Sequence, residues 1–266
     1  MSATASPDFA ALLATATTEP GTINAAYSLF HAYSISNQIY ALLQCHARGI
    51  AIGPIATYHR WHELGRQVRK GEKAIEMCQP VTCKRTPSAT APTSDGDGET
   101  FTRFVYRRNW FTLGQTDGEP YEQPAPPEWN KARALAALDI TEAPFESLNG
   151  NTQGYAKGRT VAINPLDRQP LATLFHEIAH IILGHTEQTA NKATDTPRSM
   201  REVEAEGVAM LCCAALGLPG IDESRAYIQG WYGAGREIPE DHARRIFKAT
   251  DAILRAGRAA VVEVAR

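Results

Sequence analysis

Five consecutive residues carry the sharpest chemical signal in the chain: His176-Glu177-Ile178-Ala179-His180. A four-residue step advances an α-helix by about 400°, so two histidines at that spacing stand one turn apart on nearly one face. Two imidazoles so placed can grip one metal ion. Leu171, Leu174, Phe175, Ile178, Ile181 and Ile182 recur at helical spacing on another face, which predicts a core-anchored helix over residues 171–183. Zn²⁺ with three protein ligands keeps a place for water and lowers that water's pKa to about 7. Glu177 is then positioned to take the water's proton during attack on a peptide carbonyl and return it to the leaving amine.

A third ligand has to come from farther along the chain. In the metzincin pattern HExxHxxGxxH the glycine and third histidine stand at positions 8 and 11, whereas Gly184 and His185 stand at 9 and 10. Gly184 is therefore expected to stop the helix, and His185 to sit on the rim of the site. Beyond a polar loop, Arg201-Glu202-Val203-Glu204-Ala205-Glu206 opens a helix expected over residues 201–216, with Glu202 and Glu206 one turn apart. This resembles the gluzincin arrangement, which implies Glu202 as the third ligand and Glu206 as the acid that orients a histidine. Glu204 points elsewhere on the wheel and is expected in solvent. Zn²⁺ is the expected cofactor because this motif most often serves it in hydrolysis, although two imidazoles and a carboxylate also suit Mn²⁺ or Fe²⁺. Tyr155, Tyr227 and Arg201 are candidates for stabilising an oxyanion by residue type alone.

The elements around these residues suggest two α+β domains. Residues 118–130 include Pro120, Pro124, Pro126 and Pro127 and read as an extended linker. The expected division is a first domain at 1–117 and a second, mainly helical one at 131–266. In the first, helical patterns cover 24–31, 37–48 and 57–64, and alternation predicts strands over 74–84 and 101–113. Residues 86–100, rich in Thr, Pro, Ser, Gly and acids, are expected to form a mobile loop. In the second, helices are expected at 131–138 and 241–256, and a strand at 160–164. The chain is 43% hydrophobic, yet no apolar run approaches the 18–20 residues of a membrane span, which excludes a membrane protein. Residues 1–18 lack a basic start, so no secretory leader is expected. Five cysteines without a CxxC pair point to reduced thiols in a cytoplasm.

A net charge of −2 excludes a polycation but conceals a local excess. Residues 48–85 hold eight Lys or Arg against three Glu, so one surface of the first domain is expected to be basic. Trp61, Arg66, Arg69, Lys70 and Lys73 fall in one short window of it. Cations that track phosphate, interleaved with flat rings on which unpaired bases stack, are what a single-strand binder requires. No zinc finger or recognition helix for duplex DNA is recognisable.

Tyr33-Ser34-Ile35-Ser36-Asn37, the run from Trp61 to Ile75, and Pro80 together resemble the N-terminal domain of the ArdC family of plasmid antirestriction proteins. Thr173 to His180 and the Glu202–Glu206 stretch resemble the metallopeptidase domain that accompanies it, in the same order. The resemblance implies a domain binding single-stranded DNA, a zincin-like peptidase domain, and protection of incoming plasmid DNA from restriction. It puts Tyr33, Asn37, Trp61, Arg66, Arg69, Lys70 and Lys73 in the block that faces DNA. Two other functions fit the same residues: a DNA-coating protein whose metal site is not catalytic, and a regulatory peptidase of the ImmA/IrrE kind that cuts a repressor. The second would not need the basic half. The protein substrate and the oligomeric state leave no mark in the sequence.

Overall fold

The computed structural model describes residues 7–18, 21–84, 100–146, 152–186, 196–219 and 221–259, apart from the side chains of Thr22, Lys84 and Glu223. The loop expected over 86–100 lies outside the described residues except for Thr100. The chain is α+β and divides into two compact units.

The first unit comprises residues 40–122. Helices α1 (Phe9–Thr18) and α2 (Thr22–Phe30) precede it, and α3 (Ile35–Arg48) runs into it. Then follow β1 (Ile55–Thr57), α4 (Tyr58–Glu63), β2 (Arg66–Val68), β3 (Ile75–Lys84), β4 (Thr100–Thr112) and, after a 3-10 turn, β5 (Thr116–Gly118). β4 is the centre of an antiparallel sheet ordered β1-β4-β3, and β2 pairs with β5. The β3–β4 ribbon runs in register from Glu76 opposite Arg108 to Lys84 opposite Thr100. Buried Glu76 fixes α3 to this ribbon. Its carboxylate accepts from the Tyr40 hydroxyl (3.1 Å) and Arg108 Nε (3.2 Å), while Gln44 spans its backbone N–H and carbonyl. An acid without such partners would be costly there.

The second unit comprises residues 7–39 and everything from 123 onward. The expected linker contains the boundary at 122/123, but residues 7–39 belong with the second unit rather than the first. The physical reason is visible along α1 and α2. Phe9 meets Phe247 edge-on (ring centroids 6.0 Å apart), the Ala10 N–H donates to Glu240 (3.0 Å), and Asn24 donates to the Ala215 carbonyl (3.3 Å). The remaining elements are α5 (Lys131–Ala137), β6 (Thr141–Glu142), β7 (Gly154–Lys157), β8 (Thr160–Ile163), α6 (Pro170–Ile182), α7 (Arg198–Leu216), α8 (Ile221–Gly233) and α9 (Glu240–Gly257). The sheet is ordered β6-β8-β7, so β7 is an edge strand. Helices α1 and α8 and the short strands β1, β2, β5, β6 and β7 had no expected counterpart.

Helix α7 is the keel of this unit. From Gly207 to Ala215 every residue is buried, which leaves its middle no solvent face. Gly207 permits the approach of α9, because a Cβ there would sit 3.1 Å from Ile246 Cδ1. Helix α6 buries Leu174, Phe175, Ile178, Ala179 and Ile181, and the Phe175 ring packs edge-on against Trp129 (5.0 Å). No helix among the described residues is long and apolar enough to cross a membrane. All five cysteines are free thiols.

Two predictions follow from this packing. A Cβ at Gly257 would overlap the Trp129 indole that supports Phe175, so Gly257→Ala should destabilise the protein by about 1–3 kcal/mol in urea melts. Asp251 accepts the Ile35 N–H at 2.7 Å, and burial pushes its carboxyl up to about 6, against weaker opposition from that N–H, Arg255 and Arg258. The folded state therefore holds a proton that the unfolded chain has already released. Asp251 should thus contribute a loss of about 3 kcal/mol in all as pH rises from about 3 to 7, levelling off only above the folded value. Asp251→Asn keeps an acceptor for Ile35 and should flatten this pH dependence of the melting temperature.

Candidate metal centre

α6 ends in a cap that shapes one side of the site. Gly184 adopts φ of 76°, its N–H bonds to the Ile181 carbonyl (3.1 Å), and the His185 N–H returns to the His180 carbonyl (2.8 Å). This left-handed cap folds His185 back against the last turn. Gly184 thus ends the helix as expected, but His185 does not sit on the rim. Its side chain is 2% exposed, and its Nδ1 lies 2.9 Å from His180 Nδ1.

Two helices supply the central cluster. His176 Nε2 and His180 Nε2, on α6, are 3.0 Å apart, and Glu202 Oε2, on α7, is 3.6 Å from each. Ligands at 2.0–2.1 Å in a tetrahedron stand about 3.3 Å from one another, so this triangle has the spacing of three corners of a tetrahedral divalent-metal site. The structure brings together the three residues that the spacing singled out. Glu206 Oε1 lies 3.3 Å from His176 Nδ1, on the far side of that ring. Glu177, 9% exposed, projects beside them.

The charges respond to this crowding. Burial opposes a charged His176, but Glu202 and Glu206 outweigh it and push the imidazole up to about 10. The two histidines hold Glu202 well below the usual carboxylate range. Burial raises Glu177, against the opposing pull of His176 and His180, which is the direction a general base near neutral pH requires. Burial would also raise Glu206, but His176 and the Ser224 hydroxyl bring it down.

Clefts flank the cluster. One, of about 680 Å³, is lined by Gln153, Gly154, Arg168, His176, Glu177 and Tyr227. The other, of about 580 Å³, is lined by Tyr155, Lys157, His180, Arg198, Arg201 and Glu202. The three oxyanion candidates therefore all face the clefts, and edge strand β7 borders both.

Glu204, expected in solvent, is 0% exposed. Its Oε2 lies 2.8 Å from His185 Nε2, and its Oε1 accepts from Arg245 Nε (2.7 Å) and faces His242 Nδ1 (2.9 Å). Burial alone would raise its carboxyl, but these three partners hold it below the usual range. The signal for it was available in the sequence. A helix followed by an unbroken small and apolar run has no wet side, so an acid opposite the ligand face must be buried and paired.

The residues expected at a DNA surface divide. Trp61 is 1% exposed, donates its indole N–H to the Phe111 carbonyl (2.8 Å) and meets Tyr121 edge-on (5.3 Å). It is the core residue of α4, so the expectation that it stacks on bases is corrected. Arg66 spends its guanidinium on the Thr116 hydroxyl (2.8 Å) and on the carbonyls of Thr116, Gly118 and Glu119, tying β2 to β5. Arg69 is exposed but bridges Glu72 (2.8 Å) and Asp117 (3.4 Å), while Lys70 and Lys73 are exposed. Tyr33 and Asn37 belong to the second unit, where Asn37 is buried. The exposed rings of the first unit are Tyr58 (42%) on α4 and, on β4 beside the exposed Arg103 and Arg107, Phe101 (51%) and Phe104 (68%). Sequence alternation had marked β4 as a strand without showing that the residues of its first half are exposed on both faces.

Two family descriptions match the chain in succession. Residues 14–111 match the N-terminal domain of anti-restriction factor ArdC, and residues 136–242 match the IrrE N-terminal-like domain of the M78 peptidases. The first match begins inside α1 and so includes helices that pack with the second unit. The protein y4eC of Sinorhizobium fredii (strain NBRC 101917 / NGR234) is 28% identical over 224 residues, covering 77% of this chain and 71% of that one. Two crystal structures of antirestriction protein ArdC from the R388 plasmid share the fold. The metal-free one has a TM-score of 0.53 at 24% identity and covers 94% of both chains. The Mn(II)-bound one has a TM-score of 0.51 at 23% identity and covers 95% of this chain and 96% of that one. An ArdC-type N-terminal domain followed by a metallopeptidase-like M78 domain, on a fold shared along nearly the whole length of R388 ArdC, supports kinship with the ArdC family.

Proposed function

We propose that this is an antirestriction-type protein that binds single-stranded DNA through its first unit and hydrolyses peptide bonds in its second. The observation that carries the peptidase reading is the triangle of His176 Nε2, His180 Nε2 and Glu202 Oε2 with buried Glu177 beside it. The donor set fits a divalent ion. Zn²⁺ is the proposed cofactor, and the same atoms accept Mn²⁺, the ion present in one R388 ArdC structure, or Fe²⁺. Such an ion supplies Lewis-acid polarisation and the acidity that makes water a nucleophile near neutral pH.

This chain's own residues would do the rest. Glu177 takes the proton of the attacking water and passes it to the departing amine, a role its raised pKa favours. Glu206 holds His176 from the Nδ1 side, so that Nε2 faces the ion. Among the described residues β7 has an unpaired edge along both clefts, to which an extended polypeptide can add as a further strand. That edge favours a peptide over a small molecule as substrate.

For DNA, the exposed ribbon replaces Trp61 as the proposed surface. Phe101, Arg103 and Arg107 are spaced by even numbers along β4 and so share one face, while Phe104 projects from the other. Lys70 and Lys73 add positive charge. Rings for stacking and guanidinium groups for phosphate are the two components a single strand needs.

Glu177→Gln should leave metal content at wild-type stoichiometry and lower cleavage of an unfolded protein substrate by about 10²–10⁴-fold. Retained cleavage would remove Glu177 from the chemistry. In fluorescence titrations, single-stranded DNA should bind more tightly than duplex, with affinity falling as salt rises. Phe104→Ala should weaken binding by about 5–150-fold, and Arg103→Ala with Arg107→Ala should make the salt slope shallower by about 0.7 per residue. Equal binding of duplex and single strand would remove stacking from the account.

A further inference from the structure

We infer that His185 and Glu204 are positioning residues for the metal ligand His180, a buried Glu204–His185–His180 chain that fixes which nitrogen of His180 carries the proton. The inference rests on the metal-site reading above but concerns residues outside the ligand set. His185 itself is not part of that set. It meets His180 at Nδ1, the nitrogen turned away from Glu202 and His176, and the ligand atoms that converge belong to His176, His180 and Glu202.

Hydrogen-bonding capacity assigns the protons. Glu204 is a carboxylate with a guanidinium beside it, so it only accepts. Its Oε2 is 2.8 Å from His185 Nε2, which must therefore carry a hydrogen. Arg245 already balances the charge of Glu204, so the local charge does not call for an imidazolium at His185. A neutral His185 with its hydrogen on Nε2 presents a bare Nδ1. Across the 2.9 Å gap, His180 Nδ1 must then be the donor. His180 is left with a lone pair on Nε2, the atom 3.6 Å from Glu202 and 3.0 Å from His176 Nε2. The opposite tautomer would point a hydrogen at the ion.

Each link is held by a separate element. The cap at Gly184 sets the backbone of His185 against that of His180. α7 carries Glu204 on the side opposite Glu202 and Glu206, because two residues rotate a helix by about 200°. α9 anchors Glu204 through His242 (2.9 Å) and Arg245 (2.7 Å), and Arg245 also donates to the Leu183 carbonyl (2.9 Å) at the end of α6. One buried carboxylate thus joins three helices behind the ligand.

Two measurements test the chain. In the metal-free wild-type protein, ¹⁵N-detected NMR of the histidine rings should show His180 with its proton on Nδ1 and His185 with its proton on Nε2. A His180 protonated on Nε2 and bare at Nδ1 would overturn the proposal whatever the metal does. In competition with a chromophoric chelator, His185→Phe should weaken Zn²⁺ binding by about 10–100-fold. His185→Asn, which keeps an acceptor near His180 Nδ1, should restore most of it. Folding is checked by metal-free melting temperature, and should His185→Phe fail to fold, the NMR assignment and His185→Asn still decide. Wild-type Zn²⁺ affinity in a folded His185→Phe would also overturn the proposal. Absence of Zn²⁺ binding by the wild type would instead overturn the metal-site reading and leave the NMR test standing.

Discussion

Three electron-rich atoms held 3.0–3.6 Å apart repel one another unless something positive lies among them. That constraint governs the second unit. Without an ion, His176 meets it by keeping a proton to about pH 10 between Glu202 and Glu206. A divalent cation would also meet it, and the fold holds the three atoms close enough to share one. Leu174, Phe175 and Ile178 lock α6 into the core, and α7 is enclosed on every side through its middle. Neither helix can turn to relieve the crowding without exposing apolar surface, at about 25 cal/mol for each Å².

The same rigidity explains the acids of α7. Glu202 and Glu206 lie on the face toward α6, and Glu204 lies on the opposite face, yet all three are engaged with histidines of the site or its surroundings. An acid buried at 0% exposure would be destabilising alone. With Arg245, His242 and His185 around it, Glu204 becomes the point where α6, α7 and α9 are tied together. The ligand side of the cluster and its support thus come from the two faces of one helix.

Much of this was legible in the sequence, for a physical reason. Residues at i and i+4 on a helix must converge, so His176 with His180 and Glu202 with Glu206 could be paired before any coordinates were known. What escaped was context that spacing does not carry. Helical rotation separates Glu204 from Glu202, and the small, apolar run after Glu206 marks a helix without a wet side, but the partners of Glu204 on α9 follow from no spacing in the sequence. The failed metzincin register put His185 at the rim of the site, whereas the left-handed turn at Gly184 folds it behind His180. Trp61 and Arg66 sit among cations as DNA contacts would, yet one fills the space beneath α4 and the other knits β2 to β5. Residues 7–39 precede the first unit in sequence but find their apolar partners, Phe247 among them, on the helices of the second.

The central claim is that one divalent ion is shared by two imidazoles and the Glu202 carboxylate. X-ray absorption spectroscopy of the zinc-loaded protein tests it most directly. A first shell of nitrogen and oxygen at about 2.0–2.1 Å, with the outer-shell scattering of two imidazole rings that drops to one in His180→Ala, is the predicted result. A sulfur shell at about 2.3 Å, or a spectrum without imidazole scattering, would contradict it.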